Sequence, residues 1–250
     1  MKLPFSVITV TFNAAQTLPR TLESLEKQTL RHFQHIIMDG ASTDETIALA
    51  QAYRQRNPDL LINIVSEPDN GLYDAMNKAL KMADGQYVVF LNAGDALHAA
   101  DTLDHVERMT HMGAPAVVYG ETDIVDAQGR FVAHRRLKAP RELTWRSFQQ
   151  GMLVCHQSFY VRLSIAPPYD LQYRYSADVD WCIRVMRAAE ARHLPLVNAR
   201  RILTDYLQDG LTTTHHRSSL LERFRIMGKH YGYPTTLVMH VRFLFRNIFK

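Results

Sequence analysis

Residues 66–95 read SEPDNGLYDAMNKALKMADGQYVVFLNAGD, and this stretch decides the fold. It predicts a short helix from Tyr73 to Met82 and then a buried strand from Tyr87 to Leu91. The strand runs directly into the polar tip Asn92-Ala93-Gly94-Asp95. An apolar run that ends in glycine and a carboxylate indicates the carboxyl end of a central parallel strand, where open α/β sheets bind ligands. We therefore predict that Asp95 contacts a metal ion or a diphosphate.

The chain before this stretch alternates between short apolar runs and segments in which leucines have helical spacing. The predicted strands are 5–11, 33–39 and 60–65, and the predicted helices are 15–28 and a second one that ends near residue 56. Ser42 and Glu45 have capping-box spacing at the start of the second helix. Strands that alternate with helices of this length predict an α/β fold with a mostly parallel central sheet flanked by helices.

The pattern after Asp95 predicts a small antiparallel addition and helices at the end of the chain. The predicted elements are a helix at 101–111, a strand at 116–120, a hairpin at 124–136, an antiparallel strand at 157–161, a helix at 178–191, and two terminal helices separated at 232–234. We predict one domain at 1–215, with halves at 1–120 and 121–215, followed by a basic amphipathic helical segment at 216–250.

Composition limits the compartment and the partners. The 250 residues are 46% hydrophobic, which suffices for a full core, and the two cysteines make no disulfide framework. No apolar signal segment precedes Pro4, so the expected compartment is the reducing cytoplasm. Charges interrupt every long apolar run, so no membrane-spanning helix is predicted.

The net charge is +4, and residues 217–250 contain seven Lys or Arg against Glu222 alone. This excess of positive charge indicates either contact with an anionic surface or a solvated basic face. No nucleic-acid partner is predicted.

Three carboxylates follow apolar strands, namely Asp39, Glu67 and Asp95. Acids at three strand ends would converge on one crevice, and clustered acids are costly unless a cation or a donor-rich ligand compensates them. A divalent cation bound to a diphosphate meets that need, because Mg²⁺ is usually held by one or two carboxylates plus substrate phosphates. The alternative is that each of these acids only caps a helix or closes a turn.

Five short motifs follow one another along the chain: SVITVTFN at 6–13, MDGASTD at 38–44, SEPDNG at 66–71, FLNAGD at 90–95 and SADVD at 176–180. Together they resemble the family 2 glycosyltransferases of GT-A fold, and most of all the bacterial enzymes that build colanic acid, capsule and similar surface polysaccharides, including lipopolysaccharide. The resemblance covers residues 5–120 strongly and 155–215 by short motifs. It implies a nucleoside diphosphate sugar donor, carrying UDP or GDP, that binds mainly to the 1–120 half.

The same resemblance implies a set of donor-binding residues and one metal ligand. The donor would contact Thr11, Asn13, Asp39, Glu67, Asn70, Gly71, Asn92, Ala93, Gly94 and Asp95. The family places an Asp-x-Asp metal motif where this chain has 92–95, and Asn92 replaces the first Asp. Asp95 is then the principal carboxylate ligand of a divalent cation, either Mg²⁺ or Mn²⁺.

Asp178 matches the acid that activates the acceptor hydroxyl in this family, and Ala177 replaces the Glu that usually precedes it. A sugar hydroxyl is a poor nucleophile, and a carboxylate within hydrogen-bond reach can remove its proton as the new bond forms. One base opposite the leaving group implies a single displacement with inversion. The alternative for Asp178 is an acid that only favours a helix N-terminus. Asp180 is expected to be structural.

Further contacts are implied in the second half of the chain. His156 would touch the acceptor or the diphosphate, or else be a satisfied core histidine. Thr213 and His215 belong to a loop, 209–215, that resembles the loop closing over the donor, with a plain helix cap as the alternative. The segment 237–250 is apolar, aromatic and basic. It suits peripheral contact with the inner face of the cell membrane and a lipid-linked acceptor, and packing on the sheet or a dimer contact are the alternatives.

Other functions fit the sequence less well. A dinucleotide-dependent oxidoreductase is disfavoured because no Gly-x-Gly-x-x-Gly follows the first strand. A sugar-phosphate nucleotidyltransferase would carry a glycine-rich basic loop there, and residues 11–15 do not provide one. The serious rival is a non-catalytic protein of the same fold that binds a nucleotide sugar or a partner enzyme, and Asn92 is the feature that supports it.

Overall fold

A computed structural model describes the backbone of residues 2–208 and 216–248 and the side chains of 2–208 and 217–242. The strands in those ranges are β1 (Phe5–Thr11), β2 (Gln34–Asp39), β3 (Leu61–Ser66), β4 (Tyr87–Phe90), β5 (Ala96–Leu97), β6 (Val117–Val125), β7 (Phe131–His134), β8 (Phe159–Arg162) and β9 (Leu196–Leu207). The helices are α1 (Leu18–Glu26), α2 (Thr46–Arg56), α3 (Leu72–Leu80), α4 (Thr102–Thr110), α5 (Ala177–Ala191), α6 (His216–Tyr231) and α7 (Tyr233–Ile248). Short 3₁₀ turns stand at Trp145–Gln150, His156–Ser158 and Leu163–Ile165.

The strands form one sheet in the order β3-β2-β1-β4-β8-β6-β9-β5, and β7 pairs with β6 at its side. The first four strands of that order are parallel. Strand β8 is antiparallel to both β4 and β6. Every residue of β1, β2 and β4 is buried, as expected of parallel strands covered on both faces. The predicted α/β fold, with its antiparallel addition at β8, is therefore confirmed.

Two apolar layers cover the sheet, one on each face. On one face α1, α2 and α4 pack against the sheet, with Leu22, Tyr53 and Val106 among the buried side chains. On the other face α3 and α5 do so, with Met76 and Trp181 at the centre. The loops at the carboxyl ends of the parallel strands lie between these layers, so polar side chains gather along that edge.

The terminal helices were predicted correctly. Helix α6 ends at Tyr231 and α7 begins at Tyr233, on either side of Gly232. The ring of Tyr233 packs so closely on Gly228 that an added Cβ there would lie 2.5 Å from the ring. Within the described parts of the chain, no helix has the length and apolar character needed to cross a bilayer.

The structure differs from the sequence analysis at three points. Strand β9 was not predicted, and it pairs in parallel with β6 and antiparallel with β5. Strand β6 reaches Val125, well beyond the predicted end at residue 120. The predicted capping box is wrong: the N-cap of α2 is Glu45, and it makes no side-chain cap bond. The Ser42 hydroxyl donates to the carboxylate of Asp39 instead.

Candidate active site

The end of β2 holds a buried acid, Asp39, inside a ring of donors. Its carboxylate accepts hydrogen bonds from the hydroxyls of Thr11 (2.8 Å) and Ser66 (2.7 Å). It also accepts from both the backbone N–H (2.8 Å) and the hydroxyl of Ser42. Burial alone would raise the pKa of Asp39, but these hydrogen bonds outweigh it and hold the pKa below its usual value. Asp39 is thus ionised, and each of its oxygens already accepts two hydrogen bonds.

The loop after β1 joins this acid to the surface. Asn13 is exposed and has a positive φ of 48°. Its backbone N–H donates to the Ser42 hydroxyl at 2.7 Å, and its side-chain oxygen accepts from the backbone N–H of Thr43 at 2.9 Å. The preceding Phe12 ring is 66% exposed. This loop therefore presents an aromatic face and an amide to solvent beside Asp39.

Glu67, Asn70 and Gly71 lie in the exposed loop between β3 and α3. The Glu67 carboxylate lies 2.9 Å from Nζ of Lys78, and that ammonium also donates to the Pro68 carbonyl at 2.7 Å. Gly71 precedes the first residue of α3 with φ 109°, a conformation that favours glycine. These contacts fix the loop while its polar groups stay open to solvent.

A tight turn follows β4 and is held by α1. The turn comprises Asn92, Ala93 and Gly94. The Gly94 N–H donates to the Thr21 hydroxyl at 2.9 Å, and the Gly94 carbonyl accepts from Arg20 at 2.6 Å. Gly94 has φ 100°, and an added Cβ would lie 2.5 Å from Leu207, so only glycine fits. The side-chain Oδ1 of Asn92 is buried without a hydrogen-bond partner.

Asp95 closes this turn and is 3% exposed. One carboxylate oxygen accepts from the backbone N–H of Leu207 at 2.9 Å, and the other accepts from the Gln157 amide at 2.8 Å. Burial raises the pKa of Asp95 to about 6, although these two hydrogen bonds act in the opposite direction. Asp95 is therefore a buried acid whose negative charge is compensated only in part.

Asp178 stands in the first turn of α5, opposite the start of α3. Its carboxylate accepts from the Tyr73 hydroxyl at 3.2 Å and lies 3.4 Å from Nδ1 of His156. Burial would raise the pKa of Asp178, but the His156 ring, the nearby Arg223 and the Tyr73 hydroxyl together lower it. The other ring nitrogen of His156, Nε2, is buried without a partner. An ionised carboxylate in such a pocket can accept a proton from a bound hydroxyl.

The structure links two of the predicted acids, Asp95 and Asp178, through one short turn. His156 contacts Asp178, and the next residue, Gln157, holds Asp95. Asp39 lies at the same edge of the sheet, where β1 separates β2 from β4. Thr213 and His215 lie outside the described residues. Asp180 is a buried structural acid, as expected, with His230 at 2.8 Å and Arg184 at 2.6 Å.

Sequence reasoning missed Gln157 and Tyr73 as partners of the acids. Gln157 stands next to His156, so the His-Gln pair was a usable signal. Tyr73 is the second residue of α3, and nothing in its local sequence pointed to Asp178, which lies 105 positions later.

A separate cluster of metal-ligating side chains was also missed. His98, Asp123 and Asp205 offer ligand atoms that all lie within 4.8 Å of one another. His98 Nδ1 lies 2.7 Å from Asp205, and His134 Nδ1 lies 2.7 Å from Asp123. Asp205 belongs to the unpredicted strand β9, which explains why the cluster was not foreseen. Imidazole and carboxylate groups are suitable ligands for Mn²⁺ or Zn²⁺.

Comparison with known proteins gives a consistent result. The family described as glycosyl transferase family 2 matches residues 6–165. A "PGL/p-HBAD biosynthesis glycosyltransferase" of Mycobacterium bovis is 36% identical over 184 residues, which is 72% of this chain and 68% of that protein.

Two solved structures share the fold. S. aureus TarS with UDP has a TM-score of 0.70 and 18% identity, covering 91% of this chain and 65% of that one. A mannosyltransferase of Pyrobaculum calidifontis with GDP-Man and Mn²⁺ has a TM-score of 0.60 and 16% identity, covering 96% and 74%.

Proposed function

Since the chain belongs to glycosyl transferase family 2, we propose that it transfers a sugar from a UDP- or GDP-sugar to an acceptor hydroxyl, with inversion at the anomeric carbon. The product would be a bacterial surface polysaccharide or glycolipid of the colanic acid, capsule or lipopolysaccharide type. A relative named for PGL/p-HBAD biosynthesis supports a role of this kind.

The observation that carries the proposal is the link between Asp95 and Asp178 through His156 and Gln157. One acid lies at the turn after β4, where the donor diphosphate is expected, and the other lies at the start of α5. Transfer needs a base on one side of the anomeric carbon and a stabilised leaving group on the other. His156 and Gln157 are adjacent in sequence, so they hold the Asp178 and Asp95 carboxylates in a fixed relation.

In the proposed reaction the acceptor hydroxyl donates its proton to Asp178. The hydroxyl oxygen forms a bond to the anomeric carbon as the bond from that carbon to the diphosphate oxygen breaks, and the nucleoside diphosphate leaves with that electron pair. The lowered pKa of Asp178 keeps it ionised and able to accept the proton at neutral pH. His156 and Tyr73 hold the carboxylate in place.

The donor would lie across the carboxyl ends of β1, β2 and β4. Phe12 and Asn13 are exposed there and suit contact with the base. For Asp39 to accept a hydrogen bond from the base or ribose, a hydroxyl of Ser42 or Ser66 would have to turn away. The loop at Asn70 and Gly71 would border the ribose and diphosphate.

A divalent cation fits the turn after β4. Asn92 Oδ1 is a buried oxygen without a partner, and Asp95 is a buried carboxylate with a raised pKa. Both are hard oxygen ligands of the kind that Mg²⁺ and Mn²⁺ bind. When bound, such a cation stabilises the negative charge of the departing diphosphate.

The outer face of α6 and α7 is suited to the surface of an anionic membrane. Leu221, Leu237 and Val238 are all more than half exposed. The only acid in this segment, Glu222, points inward to the backbone of residues 174–176. An apolar face with arginines and no outward acid favours the headgroup region of anionic lipid. A lipid-linked acceptor would be presented there.

The enzyme activity is tested with a panel of UDP- and GDP-sugars, with Mg²⁺ or Mn²⁺ and simple sugar or lipid-linked acceptors. We expect one donor to release its nucleoside diphosphate in a cation-dependent reaction, and the product to have inverted anomeric configuration. A donor that stabilises the protein against heat without any turnover would support the non-catalytic alternative.

Membrane contact is tested by sedimentation with vesicles that contain anionic lipid. We expect Leu237→Glu and Val238→Glu together to reduce the bound fraction severalfold, because charge replaces exposed apolar area. Met112→Glu is the matched control, since Met112 is equally exposed on another surface. Equal binding by all three proteins would reject the membrane surface at α7.

A further inference from the structure

Helix α6 holds the backbone that leads into α5 through one carboxylate. Glu222 accepts hydrogen bonds from three successive backbone N–H groups, those of Arg174 (2.9 Å), Tyr175 (2.8 Å) and Ser176 (2.9 Å). Ser219, one turn earlier on α6, adds a 2.9 Å hydroxyl contact to Ser176. Both serines are buried. The approach to α5 is therefore fixed from outside by α6.

This contact matters because of its distance from Asp178 along the chain. Ser176 is the N-cap of α5, and its own side chain makes no capping bond. Asp178 follows it by two residues, in the first turn, where helices fray most readily. Charge-assisted hydrogen bonds from backbone N–H to a carboxylate are among the stronger ones in proteins. Glu222 thus supplies from another helix the order that a capping side chain would give.

The two helices also meet at a second point, the Asp180 side chain in the first turn of α5. Asp180 is fully buried and is contacted by His230 at 2.8 Å and by Lys229 at 3.4 Å, both from α6. Arg184 of α5 donates to the same carboxylate at 2.6 Å. Packing of α5 against α6 therefore does not depend on Glu222 alone. Glu222 therefore binds the backbone that enters α5, whereas the second contact binds a side chain, Asp180, that keeps two other partners.

We propose that Glu222 is a positioning residue for the transfer reaction: it holds the first turn of α5 so that the Asp178 carboxylate meets the acceptor hydroxyl. The inference rests on the proposed function, in which Asp178 is the base. It also links the C-terminal helices to the chemistry, because α6 carries both Glu222 and part of the outer face assigned to the membrane.

Backbone amide hydrogen exchange tests the contact without any ligand. In Glu222→Ala the amides of residues 174–176 lose their acceptor, and we expect them to exchange at least tenfold faster than in the native protein. In Glu222→Gln one oxygen remains, so we expect an intermediate rate. Amides in the centre of α5 should keep their protection in both variants.

Steady-state kinetics test the consequence, with the donor that the nucleotide-sugar panel identifies. Small misplacement of a reacting group can cost up to about 100-fold in rate. We expect kcat to fall in the order native, Glu222→Gln, Glu222→Ala, with a loss of roughly 10- to 100-fold in the last, while KM for the donor changes less than twofold. A residue that only stabilised the fold would lower the melting temperature without this split.

Lys229→Met is the matched control. Lys229 lies on the same helix and contacts α5 at Asp180, and its side chain is 45% exposed. We expect it to lower the melting temperature slightly and to leave kcat unchanged. If Lys229→Met and Glu222→Ala reduce kcat equally, or if Glu222→Ala retains native kcat, the positioning role is wrong. If Asp178→Asn retains native kcat, the proposed base is wrong, and that result stands apart from the hydrogen-exchange outcome.

Discussion

Two acids end parallel strands of the same sheet, yet their surroundings differ. Asp39, at the end of β2, accepts four hydrogen bonds from three neighbouring residues, and its pKa is lowered. Asp95, in the turn after β4, accepts two, and its pKa is raised to about 6. Burial raises the pKa of both acids, and the hydrogen bonds outweigh this effect at Asp39 but not at Asp95. The first site is complete without a ligand, and the second would be stabilised by a cation.

Asp178 connects this comparison to the reaction, because it shares the turn at His156 and Gln157 with Asp95. We expect Asp178→Asn to lower the rate of transfer roughly 10³-fold, since a positioned base typically contributes 10²- to 10⁴-fold. Nucleotide affinity should stay within about twofold of native. The measurement is kcat beside calorimetric binding of UDP or GDP. Native turnover in this variant would show that Asp178 is not the base.

Asp39→Asn should chiefly destabilise the protein. The new amide group would face donors, and the Ser42 backbone N–H has no other orientation available. We expect a loss of about 3 kcal/mol in the free energy of unfolding at pH 7, in the range for a disrupted hydrogen-bonded buried charge. The pKa of Asp39 is lower in the folded protein, so its stabilisation is present above the unfolded pKa of about 4 and is lost as pH falls through the folded value. The difference between native and variant should therefore shrink below pH 4 in urea titrations.

Asp95→Asn should change the free energy of unfolding in the opposite direction, so that the variant is more stable than the native protein at high pH. The pKa of Asp95 is raised in the folded protein, so its contribution to stability is full below about pH 4 and is lost as pH rises through about 6. The amide variant does not ionise. We expect it to exceed the native protein by about 2 kcal/mol at pH 8 and to match it near pH 4.

The control for this pair of variants is how the stability difference between native protein and variant changes with pH. Asp39→Asn and Asp95→Asn remove one carboxylate each from the same edge of the sheet, so a general charge effect would give them slopes of one sign. Parallel slopes would contradict the distinction between the two sites.

The parallel half of the fold was predictable because its signals are local. Strand β4 is a continuous apolar run, β1 is rich in β-branched residues, β2 has an apolar centre, and the leucines of α1 have helical spacing. Strand β9 lacked such a signal, since Arg200, Arg201 and Asp205 interrupt it and Arg200 has a positive φ of 53°. Its pairing with β6 also shifts register. A strand with these breaks gains its order from its neighbours.

The candidate site was predictable as a set of residues and not as an arrangement. Motif resemblance pointed to Asp95 and Asp178, but the hydrogen bond from Gln157 to Asp95 spans 62 positions. The role of Ser42 was mistaken for the same reason: its spacing to Glu45 suggested a cap, whereas Asp39 binds its hydroxyl in the fold. Local spacing cannot show which of two acceptors a hydroxyl will reach.

The smallest expected effect concerns the other acidic cluster, His98, Asp123 and Asp205. Each acid there already has a partner: His98 and Arg20 lie 2.7 and 4.0 Å from Asp205, and His134 lies 2.7 Å from Asp123. The Asp95 carboxylate, by contrast, accepts only from the neutral Gln157 amide and the Leu207 N–H among the described residues, and Asn92 Oδ1, three positions earlier, is unpartnered. We expect Asp205→Asn to change the affinity for Mn²⁺ in the presence of UDP less than twofold, and Asp95→Asn to weaken it at least tenfold, by calorimetry. The reverse order would move the cation to the strand pair β6 and β9, and the contrast between Asp39 and Asp95 would then concern stability alone.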